Sequence, residues 1–337
     1  MAGDMESLFK LLKQELSEAG IECKPINTNI LTKKDTIEEF HGQTRAFLKV
    51  QDGCDGFCSY CIIPKTRPNI TFKPMEKVLS EAQALVKSGH TEIVLTGIFL
   101  GAYGLQTVRR KNWSDGENPV FAELLEKVAQ VPDLKRIRLS SLEPADVTDR
   151  LLDIMKSYHN IMPHLHLSLQ SGSDKILKKM NRQYTVNDFL KAVENINLQL
   201  DRPAITTDII VGFPDETIQD FAQSLSVAKL AGFSKIHIFP FSKRIGTAAA
   251  KLKNHISRNV ITERTLKLRE LEKHLADKFR KQFVNETVAV LIEDENSKTG
   301  KCERYYEIAV KTQKPASKGQ ILKCRINSDC TTAVAEI

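Results

Sequence analysis

The sequence contains no uninterrupted apolar run of the roughly 18 residues that a membrane-spanning helix needs. Its beginning, MAGDMESLFKLLKQ, also lacks the apolar segment of a secretion signal. The seven cysteines are an odd number without a disulfide-like framework of pairs, which favours a reducing compartment. These absences predict a cytoplasmic protein without a membrane partner, and 41% hydrophobic residues are enough to build globular cores.

A fourth cysteine is missing where three others are close together. Cys54, Cys58 and Cys61 lie in the segment GCDGFCSYCIIP, whereas the remaining cysteines are scattered. Structural zinc sites are closed by four protein ligands, while a metal with fewer ligands keeps a position for chemistry. Thiolates select zinc or iron–sulfur clusters. A four-iron four-sulfur cluster with an open position, a zinc site closed by His41, and three structural thiols are therefore the alternatives.

Positive charge is concentrated near the end of the chain. Of a net charge of +7, residues 241–282 carry 12 basic and four acidic side chains, while residues 1–240 are nearly balanced. Residues 298–325 add eight basic and two acidic side chains. Such a basic stripe suits a phosphate backbone, although most charge runs are solvated faces of helices. Charge alone leaves both interpretations open.

From residue 46 onward, short β-branched runs alternate with amphipathic stretches of helical length, which predicts βα units and a parallel sheet. The six predicted strands span 46–50, 92–96, 136–140, 165–169, 204–212 and 235–240. The predicted helices span 75–88, 119–130, 146–157, 185–199 and 215–231. Asn118 and Asp215 are expected to begin two of these helices.

The pattern changes after residue 256. Apolar residues at helical spacing on a basic background predict one long helix over 257–282. Short β runs from residue 284, interrupted by Gly300 and Gly319, predict a small all-β domain. Tyr305 and Tyr306 in this domain could stack on bases, but packing is favoured for at least one of them.

Five groups of small and polar residues lie at or near the ends of four of the predicted strands. In parallel α/β folds the functional groups gather at the carboxyl ends of strands. Hydroxyl, amide and carboxylate groups at these positions predict a ligand site. The residues are Thr96 and Gly97, Ser140 and Ser141 with Glu143, Ser168 with Gln170 and Ser171, Asp208, and Gly212.

On these motifs the chain resembles the radical S-adenosylmethionine superfamily and, within it, the methylthiotransferases that carry a C-terminal TRAM domain. The resemblance covers about residues 44–337. It rests on the cysteine trio with Tyr60 before its third member, on LHLSLQSGSDKILKKMNRQYT (165–185) and on TDIIVGFPDET (207–217). It implies an α/β fold, with a partial (β/α) barrel of six parallel strands over 44–282 followed by an OB-like TRAM domain over 283–337.

The resemblance also implies the cofactors. The three cysteines would hold one four-iron four-sulfur cluster, whose open iron is capped by S-adenosylmethionine. Thr96 and Gly97 would hold the methionine end of this cofactor, and the forked donors of Arg182 would pair with its carboxylate. The remaining expected contacts to cofactor, ribose or substrate are Tyr60, Glu143, Gln170 and Ser171.

Among the subfamilies, RIRLSSLEP (136–144) and VLTGIFLGAYG (94–104) are most similar to the MtaB group. This group adds a methylthio group to C2 of N6-threonylcarbamoyladenosine beside the tRNA anticodon. The alternatives are the MiaB group, which acts on isopentenyl-adenosine in tRNA, and the RimO group, which acts on a ribosomal protein. A non-catalytic zinc- and RNA-binding module is the competing class of function. The implied partner is tRNA.

The sequence also departs from the family pattern. KTRPNITFKP follows the third cysteine where the family has a different run, and Asp215 replaces a glycine. The family carries an N-terminal domain whose three cysteines hold an auxiliary, sulfur-supplying cluster, whereas Cys23 is the one cysteine in residues 1–43. We expect residues 1–43 to be a linker left from that domain, by truncation or by natural shortening. We then expect cofactor cleavage without sulfur transfer unless a partner supplies the domain or its cluster.

Overall fold

A computed structural model of the chain describes residues 44–112, 118–296 and 298–336. The predicted linker over 1–43, with Cys23 and His41, lies outside this part. In the described residues, no helix is both long and apolar enough to cross a membrane.

The first sheet contains four strands in the order β2-β1-β3-β4. They are β1 (Arg45–Asp52), β2 (Thr71–Phe72), β3 (Glu92–Gly97) and β4 (Arg136–Leu139). The strands β1, β3 and β4 pair in parallel, and the short β2 pairs antiparallel at the edge. Every residue of β4 is buried, as is usual for parallel strands covered on both faces.

The second sheet contains three parallel strands in the order β5-β6-β7. They are β5 (His164–His166), β6 (Ala204–Val211) and β7 (Lys235–Pro240). Isolated parallel bridges join Ile137 to Ile161 and Leu142 to Leu167, so that the end of the first sheet continues into the second.

Helices cover one face of these sheets and build an α/β core. Their bounds are α1 (Ile63–Thr66), α2 (Met75–Lys87), α3 (Pro119–Ala129), α4 (Asp149–Ser157), α5 (Asp174–Met180), α6 (Val186–Gln199) and α7 (Ile218–Ala231). Leu48, Leu95 and Ile209 are among the strand residues in the main hydrophobic cluster, together with Leu85 and Phe189 from the helices. The alternation of side chains along each strand turns the intervening polar residues to the opposite face.

The predicted basic helix and the all-β end are both present. The helix is α8 (Arg258–Lys281), and the strands are β8 (Thr287–Asp294), β9 (Thr299–Cys302), β10 (Glu307–Lys311), β11 (Ile321–Ile326) and β12 (Thr332–Ala335). These strands close into a barrel in the order β10-β12-β11-β8-β9. Gly300 is required where β9 crosses β8, because a Cβ atom there would lie 2.0 Å from the Leu291 carbonyl oxygen.

The barrel docks on the polar face of the first sheet through arginines of β4. Arg136 donates hydrogen bonds to the carbonyl oxygens of Lys301 (3.0 Å) and Ala289 (2.6 Å). Arg138 donates to those of Cys302 (2.8 Å) and Glu303 (2.9 Å). Four main-chain carbonyl groups of the barrel are thus satisfied by two side chains of the core.

Both tyrosines after β9 are engaged in packing. The Tyr305 ring stacks on His164 at 4.6 Å between centroids, and its hydroxyl accepts a hydrogen bond from Arg45 at 2.7 Å. The Tyr306 ring lies 6.2 Å from that of Phe283. The packing interpretation of these aromatic residues is therefore correct for both.

Two sequence predictions about local structure were wrong. Asp215 does not begin a helix, because α7 starts at Ile218 with Thr217 as its N-cap in a capping box with Asp220. The strand predicted over 165–169 ends at His166, and Gln170 beyond it has a φ of +65°.

The prediction for Asn118 is confirmed. Asn118 caps α3, since its side chain accepts a hydrogen bond from the Val120 amide. The elements β2, α1, α5, β9 and β12 had not been predicted.

Candidate functional site

The cysteine segment forms a loop that follows β1. Gly53 begins this loop with a φ of +81°, and a Cβ atom there would lie 1.9 Å from the Asn69 carbonyl oxygen. Only glycine therefore fits this turn. Cys54 donates its amide hydrogen bond to the Arg67 carbonyl (3.0 Å), and its Sγ atom accepts one from the Gly56 amide (3.3 Å).

Two other segments hold the loop in place. The carboxylate of Asp55 accepts hydrogen bonds from Thr107 Oγ1 (2.7 Å) and the Val108 amide (2.8 Å). On the other side, Ser59 donates its amide to the carbonyl of Met180 (2.9 Å), at the end of α5. The positions of the three cysteines are thus fixed by contacts distant in sequence.

All three cysteines line one cavity of about 400 Å³. Of the other residues predicted for the site or for the strand ends, Tyr60, Ser141, Glu143, Ser168 and Arg182 share this cavity. Its wall also includes residues that were not predicted: Phe57, Ile98, Phe99, Val108, Arg109, Lys111, Asp146, Asn181 and Gln183. The cavity lies where loops leave the carboxyl ends of β1, β3 and β4, as expected for a parallel α/β fold.

Arg182 connects the cysteines to the opposite wall. Its Nη2 donates to Glu143 Oε1 at 2.5 Å, and its Nη1 donates to Cys58 Sγ at 3.2 Å and lies 3.4 Å from the Tyr60 hydroxyl. Burial lowers the pKa of this guanidinium, but Tyr184 and Glu143 outweigh it and hold the pKa well above its usual value. Arg182 is therefore a permanent, buried positive charge in the wall of the cavity.

Glu143 sits in a second polar network. Burial raises its pKa, which the charges of Arg182 and Arg110 oppose. Asp146 accepts hydrogen bonds from the Glu143 amide (2.7 Å) and from Arg110 Nη2 (2.8 Å). Gly101 leaves room for this carboxylate, because a Cβ atom at Gly101 would lie 2.1 Å from it.

Thr96, Gly97, Gln170 and Ser171 are not among the residues that line the cavity. Gly97 packs against Gln51, whose Oε1 accepts the amide hydrogen of Phe99 at 2.8 Å. Gln170 and Ser171 are buried in the turn after β5. Their predicted roles as cofactor contacts stay predictions. The motif MNRQ contained a signal for two of the missed residues, since Asn181 and Gln183 flank Arg182.

The three thiols do not form a closed site for a single metal ion within the described residues. Within residues 44–112, 118–296 and 298–336, no three Cys, His, Asp or Glu side chains are grouped closely enough to hold one ion. A closed zinc site requires four such ligands around one centre, whereas each thiolate of an iron–sulfur cluster binds a different iron. Burial raises the pKa of Cys54 to about 11 and also raises that of Cys58, so loading of metal must release protons.

Comparison with known proteins agrees with iron–sulfur chemistry. The family model of the Radical SAM superfamily matches residues 48–228. The chain is 44% identical over 257 residues to threonylcarbamoyladenosine tRNA methylthiotransferase MtaB of Chlamydia pneumoniae, covering 76% of this chain and 58% of the relative. It is 37% identical over 320 residues to the Bacillus subtilis protein of the same name, covering 90% and 68%. It is also 37% identical over 254 residues to tRNA-2-methylthio-N(6)-dimethylallyladenosine synthase of Malacoplasma penetrans, covering 75% and 50%.

The chain therefore belongs to the Radical SAM superfamily and, within it, to the tRNA methylthiotransferase family that these relatives represent. Membership implies a four-iron four-sulfur cluster and S-adenosylmethionine as cofactors. The chain spans between half and about two thirds of the length of these relatives.

Proposed function

We propose that this chain carries the radical S-adenosylmethionine chemistry of a tRNA methylthiotransferase that acts on C2 of N6-threonylcarbamoyladenosine. One observation carries this proposal: three thiols, a buried guanidinium and a buried carboxylate line the same cavity. Two of the relatives named above are threonylcarbamoyladenosine tRNA methylthiotransferases, which supports the choice of nucleoside.

The residues of the cavity have separate tasks in this proposal. Cys54, Cys58 and Cys61 hold the cluster, which, when bound, supplies the electron that cleaves S-adenosylmethionine. Arg182 pairs with the carboxylate of that cofactor, and Glu143, which now accepts from Arg182, is suited to an amino or hydroxyl group. The loop around Asp55 and the end of α5 keep the site rigid, which is what positions a reactive group.

The arrangement of the parallel strands and the bounds of the domains are part of the same proposal. The bridges between the two sheets support one partial barrel formed by the six parallel strands β1, β3, β4, β5, β6 and β7. We assign residues 44–282 to this core and residues 283–337 to an OB-like TRAM domain.

We further propose that RNA binds on the C-terminal barrel. A groove of about 440 Å³ on the barrel surface is lined by Lys311, Thr312, Gln313 and Lys314, among others. Exposed amines and amides of this kind contact phosphate groups. Not all of the predicted stripe can do so, because Arg264 is buried against Glu216 and Arg304 is paired with Asp201.

Methylthiolation of isopentenyl-adenosine is the second candidate, because the Malacoplasma penetrans relative carries a dimethylallyladenosine name at 37% identity. One experiment separates the two. The chain is reconstituted anaerobically with iron and sulfide, then given reductant, S-adenosylmethionine and tRNA that contains one or the other nucleoside. 5′-Deoxyadenosine and methylthio nucleosides are quantified by mass spectrometry.

We expect 5′-deoxyadenosine from the reconstituted chain, formed faster with the threonylcarbamoyl substrate and without methylthio product. A preference for the isopentenyl substrate would favour the second candidate. Stoichiometric zinc without iron, or a loaded cluster that yields no 5′-deoxyadenosine, would exclude both candidates and leave a metal- and RNA-binding module. A variant in which Cys58 is replaced by alanine gives the background for cleavage that does not depend on the cluster.

A further inference from the structure

Three polar side chains of the second sheet are not used by the site described above, and they lie on the face that would be concave in the proposed partial barrel. His166 lies on β5, Asp208 on β6 and His237 on β7. Asp208 and His237 are register partners, and the rings of His166 and His237 are 5.6 Å apart. The Nε2 atom of His166 lies 3.3 Å from Asp208 Oδ2. These three residues are called the concave-face cluster below.

The concave-face cluster lies close to the cofactor cavity. Ser168 lines that cavity and follows His166 by two residues. Ser168 lies beyond the end of β5, and two residues of chain separate it from His166 by at most about 7 Å. His164 precedes His166 on the same face of β5, but Tyr305 of the barrel covers it. In the chain, His166 thus lies between Ser168, which lines the cofactor cavity, and His164, which the barrel covers.

The cluster also borders a second cavity, of about 290 Å³, between the core and the barrel. His237 and Thr206 form part of its wall, and Lys301 of the barrel forms another part. The side chain of Asp208 is 26% exposed, so that its carboxylate is open to a ligand. His237 is thus the member of the cluster that opens into this cavity, and Asp208 is its register partner on β6.

The hydrogen bonds of the cluster are incomplete. The Thr206 hydroxyl lies 3.0 Å from His166 Nδ1 and 3.1 Å from His164 Nε2. The other ring nitrogen of His166, Nε2, is buried and makes no hydrogen bond of adequate geometry, despite its proximity to Asp208. Buried polar atoms are normally satisfied, so this one points to a partner that arrives with a ligand.

We propose that the concave-face cluster recognises the N6 side of the substrate adenosine, through the urea-like carbamoyl group attached there. Asp208 accepts a hydrogen bond from a carbamoyl N–H, and an imidazole N–H of His166 or His237 donates to the carbamoyl oxygen or a ring nitrogen. Adjacent acceptor and donor groups on the protein match the adjacent donor and acceptor groups on a urea. The inference rests on the proposed function, since it concerns the nucleoside that this site would modify.

The test is a binding measurement with two RNA ligands. Anticodon stem–loops with and without the N6-threonylcarbamoyl group are titrated against the reconstituted chain, against the variant Asp208→Asn, and against the control Asp215→Asn. The control makes the same chemical change at a carboxylate paired with Lys179 and Asn254, away from the cluster. Unfolding midpoints are recorded for all three proteins.

We expect the wild-type chain and D215N to bind the modified stem–loop about tenfold or more tightly than the unmodified one, since a hydrogen bond to a charged group is lost without the modification. In D208N this ratio should fall close to one while the affinity for the unmodified stem–loop is kept. If D208N keeps the ratio, or if the wild type binds both RNAs equally, the inference is wrong although the proposed function stands. If the wild type binds neither RNA, the proposed function itself fails.

Discussion

Arg182 Nη2 and Glu143 Oε1 are 2.5 Å apart in the wall of the cysteine-lined cavity, although 39 residues separate them in sequence. The same guanidinium donates to Cys58 Sγ at 3.2 Å. One side chain thus contacts both a proposed cluster ligand and the carboxylate on the facing wall. It can exchange the Glu143 carboxylate for that of a bound cofactor without leaving its place.

Replacement of Arg182 by lysine should weaken binding of S-adenosylmethionine about 10- to 100-fold, because a single ammonium group cannot reproduce the forked donors. Equilibrium binding to the reconstituted protein measures this effect. Arg67, an exposed residue paired with Asp52, provides the matched control for an arginine-to-lysine change. If R182K loses iron as well as affinity, its main role is to hold Cys58 rather than the cofactor.

Replacement of any one of Cys54, Cys58 and Cys61 by alanine should abolish stable binding of the cluster, since each thiolate would hold one iron. Iron and sulfide analysis after anaerobic reconstitution, together with the optical spectrum, checks this. Cys330→Ala is the control, because this thiol is buried in the barrel. Full iron content in any of the three variants would contradict the assignment of the ligands.

Charge reversal at Lys311 and Lys314 should weaken RNA binding and reduce its dependence on salt. Each phosphate contact that is lost should lower the slope of log affinity against log salt by about one. Filter binding of tRNA across a salt series provides the slope. The control Lys229→Glu makes the same change of charge as either single variant, Lys311→Glu or Lys314→Glu, on the exposed side of α7. An unchanged slope in the barrel variant would exclude the groove as the phosphate contact.

Asp220 should stabilise the fold near neutral pH and lose this effect in acid. Its carboxylate accepts hydrogen bonds from Ser173 Oγ and Lys175 Nζ, both at 2.7 Å. Partial burial raises its pKa, but the bonds from Lys175 and Thr217 outweigh this and lower it well below the usual value. A group with a lowered folded-state pKa contributes stability above its unfolded pKa of about 4 and loses it as the pH falls further.

Asp220→Asn should therefore lower the free energy of unfolding by about 2 kcal/mol at pH 7, and by less at pH 3. Urea unfolding at the two pH values measures the difference. An equal loss at both values would show that the carboxylate charge is not what stabilises the turn between β5 and α5.

The strands were the most predictable part of the fold. The run EIVLT has three consecutive apolar residues because β3 is covered on both faces, and buried parallel strands need no alternation. The start of α7 was less predictable, because Asp215 and Thr217 are both capable N-caps. The choice between them depends on Asp220, which completes the capping box three residues after Thr217.

Within the site, the sequence could identify residues that belong to contiguous motifs. Arg110 and Asp146 were missed because their contact joins segments 36 residues apart and follows no periodic pattern. The cavity wall was expected at Thr96 and Gly97 but is formed by Ile98 and Phe99. Gln51 holds the Phe99 amide, and this tertiary contact decides which residues of the turn face the cavity.

The docking of the barrel through Arg136 and Arg138 has a consequence for how its sequence can change. All four acceptors are main-chain carbonyl oxygens of residues 289, 301, 302 and 303. Since every amino acid offers the same carbonyl group, these attachments do not depend on which side chains the barrel carries. Substitutions on the outer surface of the barrel therefore leave these four hydrogen bonds to the core in place.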